Sequence, residues 1–343
     1  MKLTSRYTLL AAAAATALAL TSCGSSTEQA GPEGSAAQIS IEHIYGSTPI
    51  EEVPEKVATI SWVNADVLLA LGTVPVGMDI DTWGQNANNS TDWKDARLKE
   101  LGAEIGSENA PAQYSVTDGI DYEAIAESDP DVIFAAYSGL KQDEYEKLSK
   151  IAPTVGPLEA NYLTSWQQST EAAGELLGKS TEASALIDEV EGQLSAQAEK
   201  YPVFKDSSFI AADLSQPSTI SIYAGEDNRP RFLSALGMSQ AAVVSENTEE
   251  GNFYFEWSPE RANELEADVV FASVASGAGI ADALASNPLF GQIPAAETGG
   301  LVAVDSDQAV LSVSAASPLS MSWAIENVVP ILAEAAEQAA EAK

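Results

Sequence analysis

Apolar residues recur along this chain in two alternating rhythms: short branched runs that suit buried strands, and stripes at three- and four-residue spacing that suit helices. Residues 57–62 (VATISW), a stripe over 64–71 and residues 74–78 (VPVGM) read as strand, helix and strand, with Gly72 placed to end the helix. Ahead of them, residues 39–45 (ISIEHIY) alternate as a half-exposed strand does, and Gly46 to Pro49 reads as a turn. Residues 79–108 are polar and carry Trp83 and Trp93, the pattern of a long rim loop with a short helix. A helix over 141–151 and a strand over 152–155 follow. Two helices are expected from about Ser165. The second, over 180–200, carries one clear stripe of Ala183, Leu186, Ile187, Val190 and Leu194. A helix of that length is about 30 Å long, enough to join two lobes as a strut. Beyond it come strands at 208–212 and 219–223, a helix at 231–236 closed by Gly237, a strand at 301–304 and a helix from about Pro318.

Two stretches echo each other: residues 121–135 (DYEAIAESDPDVIFA) and 258–272 (SPERANELEADVVFA). At one constant offset, Asp121 pairs with Ser258, Glu123 with Glu260, Glu127 with Glu264, and Asp131 with Asp268. Asp and Ser are preferred N-caps, Pro259 suits a first helical position and glutamates suit a first turn. Each copy reads as a short capped helix running into a buried strand, so the unit predicts two similar α/β lobes with strand–helix–strand order and parallel sheets. Capping chemistry alone accounts for acidic residues in a first turn, and on the residues themselves that explanation stands beside a functional one.

The first residues change the picture. Lys2 and Arg6 precede an apolar, alanine-rich run over 8–20 that is shorter than a membrane span needs, which reads as a signal peptide. Its end, residues 20–23 (LTSC), holds the chain's one cysteine, Cys23. A single cysteine cannot close an internal disulfide, and its place at the end of the leader gives it a purpose at the cleavage site. Residues 24–38 lack periodicity and apolar anchors and read as a flexible tether. The formal charge of -35 becomes -37 once the leader's two cations are removed. That balance disfavours nucleic acid and anionic lipid surfaces as partners.

Little supports catalysis. His43 is the only histidine; no nucleophile elbow, phosphate loop or His-Glu-x-x-His occurs, and no EF-hand spacing. Gly277 and Gly279 follow a strand as a dinucleotide loop does, but Asp282 stands where the third glycine belongs. What remains are aromatic and cationic residues where strands end, the place ligands gather in open α/β sheets. Trp62, Tyr137 and Tyr223 lie at strand ends, Trp83 on the loop after one, and the scarce Arg229 and Arg231 just past Tyr223. Such a group suits a local polar-aromatic or anion site, although core packing explains any one aromatic as well.

Taken in order behind the leader, several motifs resemble the substrate-binding lipoproteins of ABC importers for ferric siderophores, in the helix-linked class that also holds cobalamin and haem binders. They are residues 54–57 (PEKV) through 70–77 (ALGTVPVG), the first echo, 137–140 (YSGL) with 145–154 (YEKLSKIAPT), and 317–320 (SPLS) through Trp323, Val329 and Pro330. The resemblance implies a class III periplasmic-binding-protein fold, with two lobes each built on a mostly parallel sheet flanked by helices and joined by a single long rigid helix. It implies a leader over 1–22 ending at a lipobox, lipid on Cys23, a tether over 23–38, lobes at 39–164 and 201–343, and a linking region at 165–200. It further implies a monomer that takes a ferric siderophore between its lobes, with the iron's ligands coming from the siderophore and no resident cofactor. Glu123 and Glu260 would dock onto the permease, and ATP hydrolysis would belong to the partner subunits. Cobalamin or haem remains an alternative cargo, the scarcity of histidine counting against haem. An enzyme or adhesion protein on the same fold is the different-class alternative.

Overall fold

In the computed structural model, residues 39–343 are described except Thr117, Glu250 and Asp305. The leader, Cys23 and the tether fall outside the described residues. The chain opens with a hairpin, β1 (Ile39–His43) and β2 (Gly46–Ile50), paired antiparallel. Residues 46–49 were expected as a turn and instead form β2. Thr48 and Ile50 are buried, and the Thr48 hydroxyl donates to Thr154 O at 2.6 Å, which draws this stretch onto the sheet. Gly46 turns the hairpin at φ +123°, in the region that favours glycine. His43 serves the same corner: its Nδ1 accepts from Tyr45 N, leaving Nε2 to pair with Thr48 Oγ1 at 2.9 Å. The lone histidine is structural.

The first lobe continues through β3 (Val57–Thr59), α1 (Val63–Ala70), β4 (Gly77–Asp79), α2 (Asp92–Glu100), β5 (Ala112–Tyr114), α3 (Tyr122–Glu127), β6 (Val132–Phe134), α4 (Gln142–Leu148) and β7 (Thr154–Val155). Its sheet runs β5-β4-β3-β6-β7 with every pairing parallel. All of its carboxyl ends therefore open on one edge. Two helices follow, α5 (Trp166–Leu176) and α6 (Ser180–Lys200). The stripe on α6 is shared between lobes: Ala183 packs in the first lobe's core with Val57, Leu68 and Phe134, whereas Ile187, Val190 and Leu194 pack with Phe209, Phe232 and Phe271 of the second.

The second lobe holds β8 (Ser208–Asp213), β9 (Ile220–Tyr223), α7 (Asn228–Ala235), β10 (Ser239–Gln240), α8 (Ala242–Asn247), β11 (Tyr254–Trp257), β12 (Val269–Ser273), α9 (Ile280–Ser286), α10 (Ala295–Thr298), β13 (Leu301–Ala303), α11 (Asp307–Ser314), α12 (Pro318–Asn327) and α13 (Val329–Glu341). Its sheet runs β11-β9-β8-β12-β13, with β10 beside β8. β9 and β11 are antiparallel members; the rest pair parallel. The fold is thus the expected two-lobed α/β arrangement. A second crossing accompanies α6, because α12 sends Leu319 against Leu69, Met78 and Leu98 of the first lobe while Met321 and Ala324 stay in the core of the second.

The echo has a structural meaning. Asp131 and Asp268 each stand just before a central strand and clip the neighbouring parallel strand at its start. Asp131 Oδ2 accepts from Lys56 N at 2.8 Å, and Asp268 Oδ2 accepts from Ser208 N at 2.8 Å and Ser208 Oγ at 2.9 Å. Burial pushes the Asp268 carboxyl up, but the bonds from Ser208 and Lys343 outweigh it and hold it below the usual range. A depressed carboxylate stabilises the fold above its unfolded pKa, and that contribution is lost as pH falls through the folded value. Asp268→Ala is therefore expected to cost about 1–3 kcal/mol at pH 7 and clearly less at pH 3. Urea unfolding at the two pH values measures it, and an equal loss at both would refute the charged clip.

A candidate ligand cleft at the sheet ends

The loop after β3 sets the first wall. Ser61 takes a left-handed conformation (φ +75°), and Trp62 enters α1 with no side-chain cap. The Trp62 ring, partly buried, stacks on Tyr162 with centroids 6.1 Å apart and planes at 22°. Tyr162 is itself left-handed (φ +62°) at the end of a short 3₁₀ turn, Ala160–Tyr162, and is 40% exposed. Its hydroxyl lies over Gly139, where an added Cβ would come within 2.5 Å of the oxygen. A cavity of about 270 Å³ opens here, lined by Ser61, Trp62, Asp79, Thr82, Gly139 and Tyr162. It lies at the carboxyl ends of the first lobe's strands.

Tyr162 also meets Tyr137, 5.5 Å between centroids. Tyr137 is buried at the junction between the lobes, and its hydroxyl donates to Ser314 O at the end of α11, as does Asn228 Nδ2. Burial pushes its phenol well above the usual value. Across the junction, the Arg229 guanidinium lies 3.8 Å over the centre of the Tyr223 ring and is held by both oxygens of Asp227 at 3.1 and 3.0 Å. Burial pushes the Tyr223 hydroxyl up to about 12. Arg229 Nε is buried without a partner among the described residues. A guanidinium over a phenol ring and a Trp–Tyr stack are groups that can hold an oxygen-rich, partly apolar molecule by charge and by ring contact.

Trp62 and Tyr137 are therefore joined ring to ring through Tyr162, a residue the sequence reading missed, and Tyr137 in turn lies within reach of the Asp227 and Arg229 charges that hold Tyr223. Tyr223 arrives there differently from expectation, because β9 runs antiparallel to β8 and its end is not a carboxyl end of the parallel set. Trp83 packs toward the second lobe, where its neighbour Gly84 (φ +69°) lies against the backbone of Asp307 and Gln308. Arg231 departs from the group. It donates from Nη1 to Leu163 O at 2.9 Å and lines a separate cavity of about 780 Å³ with Trp166, Glu191 and Phe232, beside the linking helix.

Behind Trp62 lies a buried charge cluster. Lys94 Nζ is 2.5 Å from Asp81 Oδ2 and 3.8 Å from Asp66 Oδ1, and all three side chains are 2% exposed. Trp93 Nε1 and Ser317 Oγ, the latter from α12, both donate to Asp66 Oδ2. Asp79 accepts from Ser61 N at 3.1 Å, and burial lifts its carboxyl to about 7. Among the described residues, no group of three or more His, Cys, Asp or Glu is placed to hold a metal ion.

Glu123 and Glu260 are exposed on separate lobes. Asp121 caps α3 by accepting from Ala124 N, and Ser258 accepts from Glu260 N. The second unit is a 3₁₀ turn, Pro259–Glu264, kinked at Arg261, where a second α-helix was expected. Its Glu264 is tied to Arg261. Among the described residues, neither Glu123 nor Glu260 has a side-chain hydrogen bond or ion pair.

Comparison with known proteins adds to this geometry. A family profile described as periplasmic binding protein matches residues 57–308. The structure of PiaA from Streptococcus pneumoniae TIGR4 in complex with ferrichrome superposes with a TM-score of 0.78 and 31% identity, covering 88% of this chain and 99% of that one. The Fe(3+)-citrate-binding protein YfmC of Bacillus subtilis (strain 168) is 26% identical over 298 residues, 84% of this chain and 86% of its own length. YhfQ of the same organism, provisionally named an ABC transporter substrate-binding lipoprotein, is 27% identical over 220 residues, 63% of this chain; the match spans only 62% of YhfQ.

Proposed function

The chain belongs to the periplasmic binding protein family, and from that premise we propose that it is the extracytoplasmic solute-binding protein of an ABC importer, taking a ferric siderophore between its lobes. The observation that carries this reading is the linked aromatic set of Trp62, Tyr162 and Tyr137, with the Tyr223–Arg229 pair close to Tyr137. A ferric chelate with oxygen donors presents a metal already complete in ligands, a rim of carbonyl or carboxylate oxygens for a guanidinium, and apolar faces for aromatic rings. The two relatives named for ferrichrome and Fe(3+)-citrate carry cargo of that kind. Trp83, packed with Tyr137 and Leu311, completes the set as a ligand-facing residue. Arg231 is assigned to the neighbouring cavity wall. Lipid on Cys23 would hold the protein at the outer face of the plasma membrane, and a permease with its ATPase subunits would receive the cargo.

Titration of the mature protein with ferric ferrichrome, ferric citrate and a ferric catecholate, followed by tryptophan fluorescence and calorimetry, tests the reading. At least one complex is expected to bind with a dissociation constant of about 1 µM or tighter. Arg229→Gln is expected to weaken that binding at least about tenfold. Flat titrations with every chelate class would overturn the proposal.

A further inference from the structure

Trp62 sits on a turn that ordinary backbone preferences do not favour. Ser61 is left-handed without being glycine, and α1 begins with no capping side chain. Buried polar groups hold this turn instead: Asp79 accepts from Ser61 N, and a buried amide reaches further. Asn64, fully buried on the first turn of α1, donates from Nδ2 to Ile60 O at 2.5 Å, to Ser61 O at 3.2 Å and to Tyr137 O at 2.9 Å. Its Oδ1 accepts from Tyr137 N at 3.1 Å. One side chain thus ties the two residues before Trp62 to both backbone groups of Tyr137, across the gap between the ends of two paired strands, β3 and β6.

The arrangement is specific to an amide. Asn and Gln alone offer two donors and an acceptor on one planar group, and the shorter Asn meets all of these partners from a fully buried position. The carbonyl of Ile60 and the peptide of Tyr137 would lose these bonds with the amide, whereas Ser61 O keeps its bond from the backbone N of Asn64 at 3.2 Å. Its neighbours Val63, Ala65, Val67 and Leu68 are buried and apolar, and the other buried polar residue of α1, Asp66, serves the Lys94 cluster rather than the turn before Trp62.

We propose that Asn64 is a positioning residue of the ligand cleft: without touching ligand, it fixes Trp62 and Tyr137 relative to each other and so sets the spacing of the aromatic wall. The ligand arm of this proposal rests on the siderophore reading; the structural arm does not. The test therefore reads both. In ligand-free protein at pH 8, Asn64→Asp, which keeps size and the acceptors and leaves at most one donor, should change the near-ultraviolet circular dichroism of the Trp62–Tyr162 stack. The same substitution in a Trp62→Phe background should leave that spectrum nearly unchanged. Affinity for the chelate bound by the wild type should fall about tenfold in Asn64→Asp and less than threefold when Trp62 is already Phe, a coupling within the usual range for residues in one network. Asn64→Ser takes its place in both arms if the aspartate variant does not fold.

A spectral change that persists in the Trp62→Phe background, or affinity losses that simply add, would overturn the positioning role. Failure of the wild type to bind any chelate, with the spectral coupling intact, would count against the siderophore reading and leave Asn64 in place as the residue that holds the turn.

Discussion

Reversing Glu123 and Glu260 together, as Glu123→Lys with Glu260→Lys, is expected to abolish import in cells while ligand affinity stays within about twofold of wild type. Both carboxylates are exposed and free of intramolecular partners among the described residues, one on each lobe. A capping role does not account for them. Asp121 and Ser258 already satisfy the turns, and their oxygens, not those of the glutamates, receive the backbone donors. Losing either side chain should therefore cost the fold little. A charge on each lobe can instead read whether both lobes are engaged at once, since two docking contacts on one rigid body act together. Truncating one member of a close interfacial charge pair costs about 2–5 kcal/mol, so reversal of both should lower uptake by roughly 100-fold or more. Uptake of labelled chelate in a strain lacking the native gene is the measurement. Reversal of Glu104 and Glu337, also exposed, controls for the general loss of negative charge. Equal defects in the two double variants, or lost ligand binding in the first, would sink the docking role.

The parts of the fold that were legible are those where burial imposes a period. α1 and the stripe on α6 lie within a residue of where their apolar patterns put them, and β3 starts at Val57 as expected but ends at Thr59, three residues short of Trp62. α11 was overlooked because it is buried all round: Ser312 and Ser314 are as inaccessible as Leu311 and Val313, so no polar face marks it as a helix. The kinked 3₁₀ turn at Pro259 carries the same capping pattern as α3, and side chains that suit a first helical turn do not say whether a second turn follows.

The site was legible by residue type more than by direction. Arg229 and Arg231 stand two apart on α7, which puts them on nearly opposite faces of a helix. Read as a helix, that spacing already separates the cation on Tyr223 from the one on Leu163. Tyr162 gave less to work with. It is one aromatic in a short polar stretch, and what brings it over Trp62 is a left-handed backbone that no local pattern announces. Asn64 looked like the polar start of a helix and is instead the buried tie between two strand ends.

The largest stability effect is expected at Lys94. It is a fully buried cation on α2, and its partners reach it from α1, from the loop after β4 and, through Asp66, from Ser317 of α12. Burial pulls its ammonium down, but Asp81, Asp66 and Asp79 more than offset that and keep it charged. Burial pushes all three carboxyls up, Asp79 to about 7. Lys94→Met leaves these carboxyls without a counter-charge and is expected to destabilise the protein by about 3–5 kcal/mol at pH 8. An acid whose folded pKa lies above its unfolded value binds its proton more tightly when folded, so its burden on stability appears as pH rises from the unfolded value toward the folded one. Removing the lysine raises the folded values further. The loss should therefore be largest at pH 8 and shrink at pH 5.5, where the carboxyls can be neutral. Adding Asp81→Asn should recover part of it by removing the charge nearest the vacated position. Urea unfolding of wild type, single and double variants at both pH values decides the matter. A loss under about 1 kcal/mol, or one independent of pH, would mean that the cluster does not carry the charge balance its geometry implies.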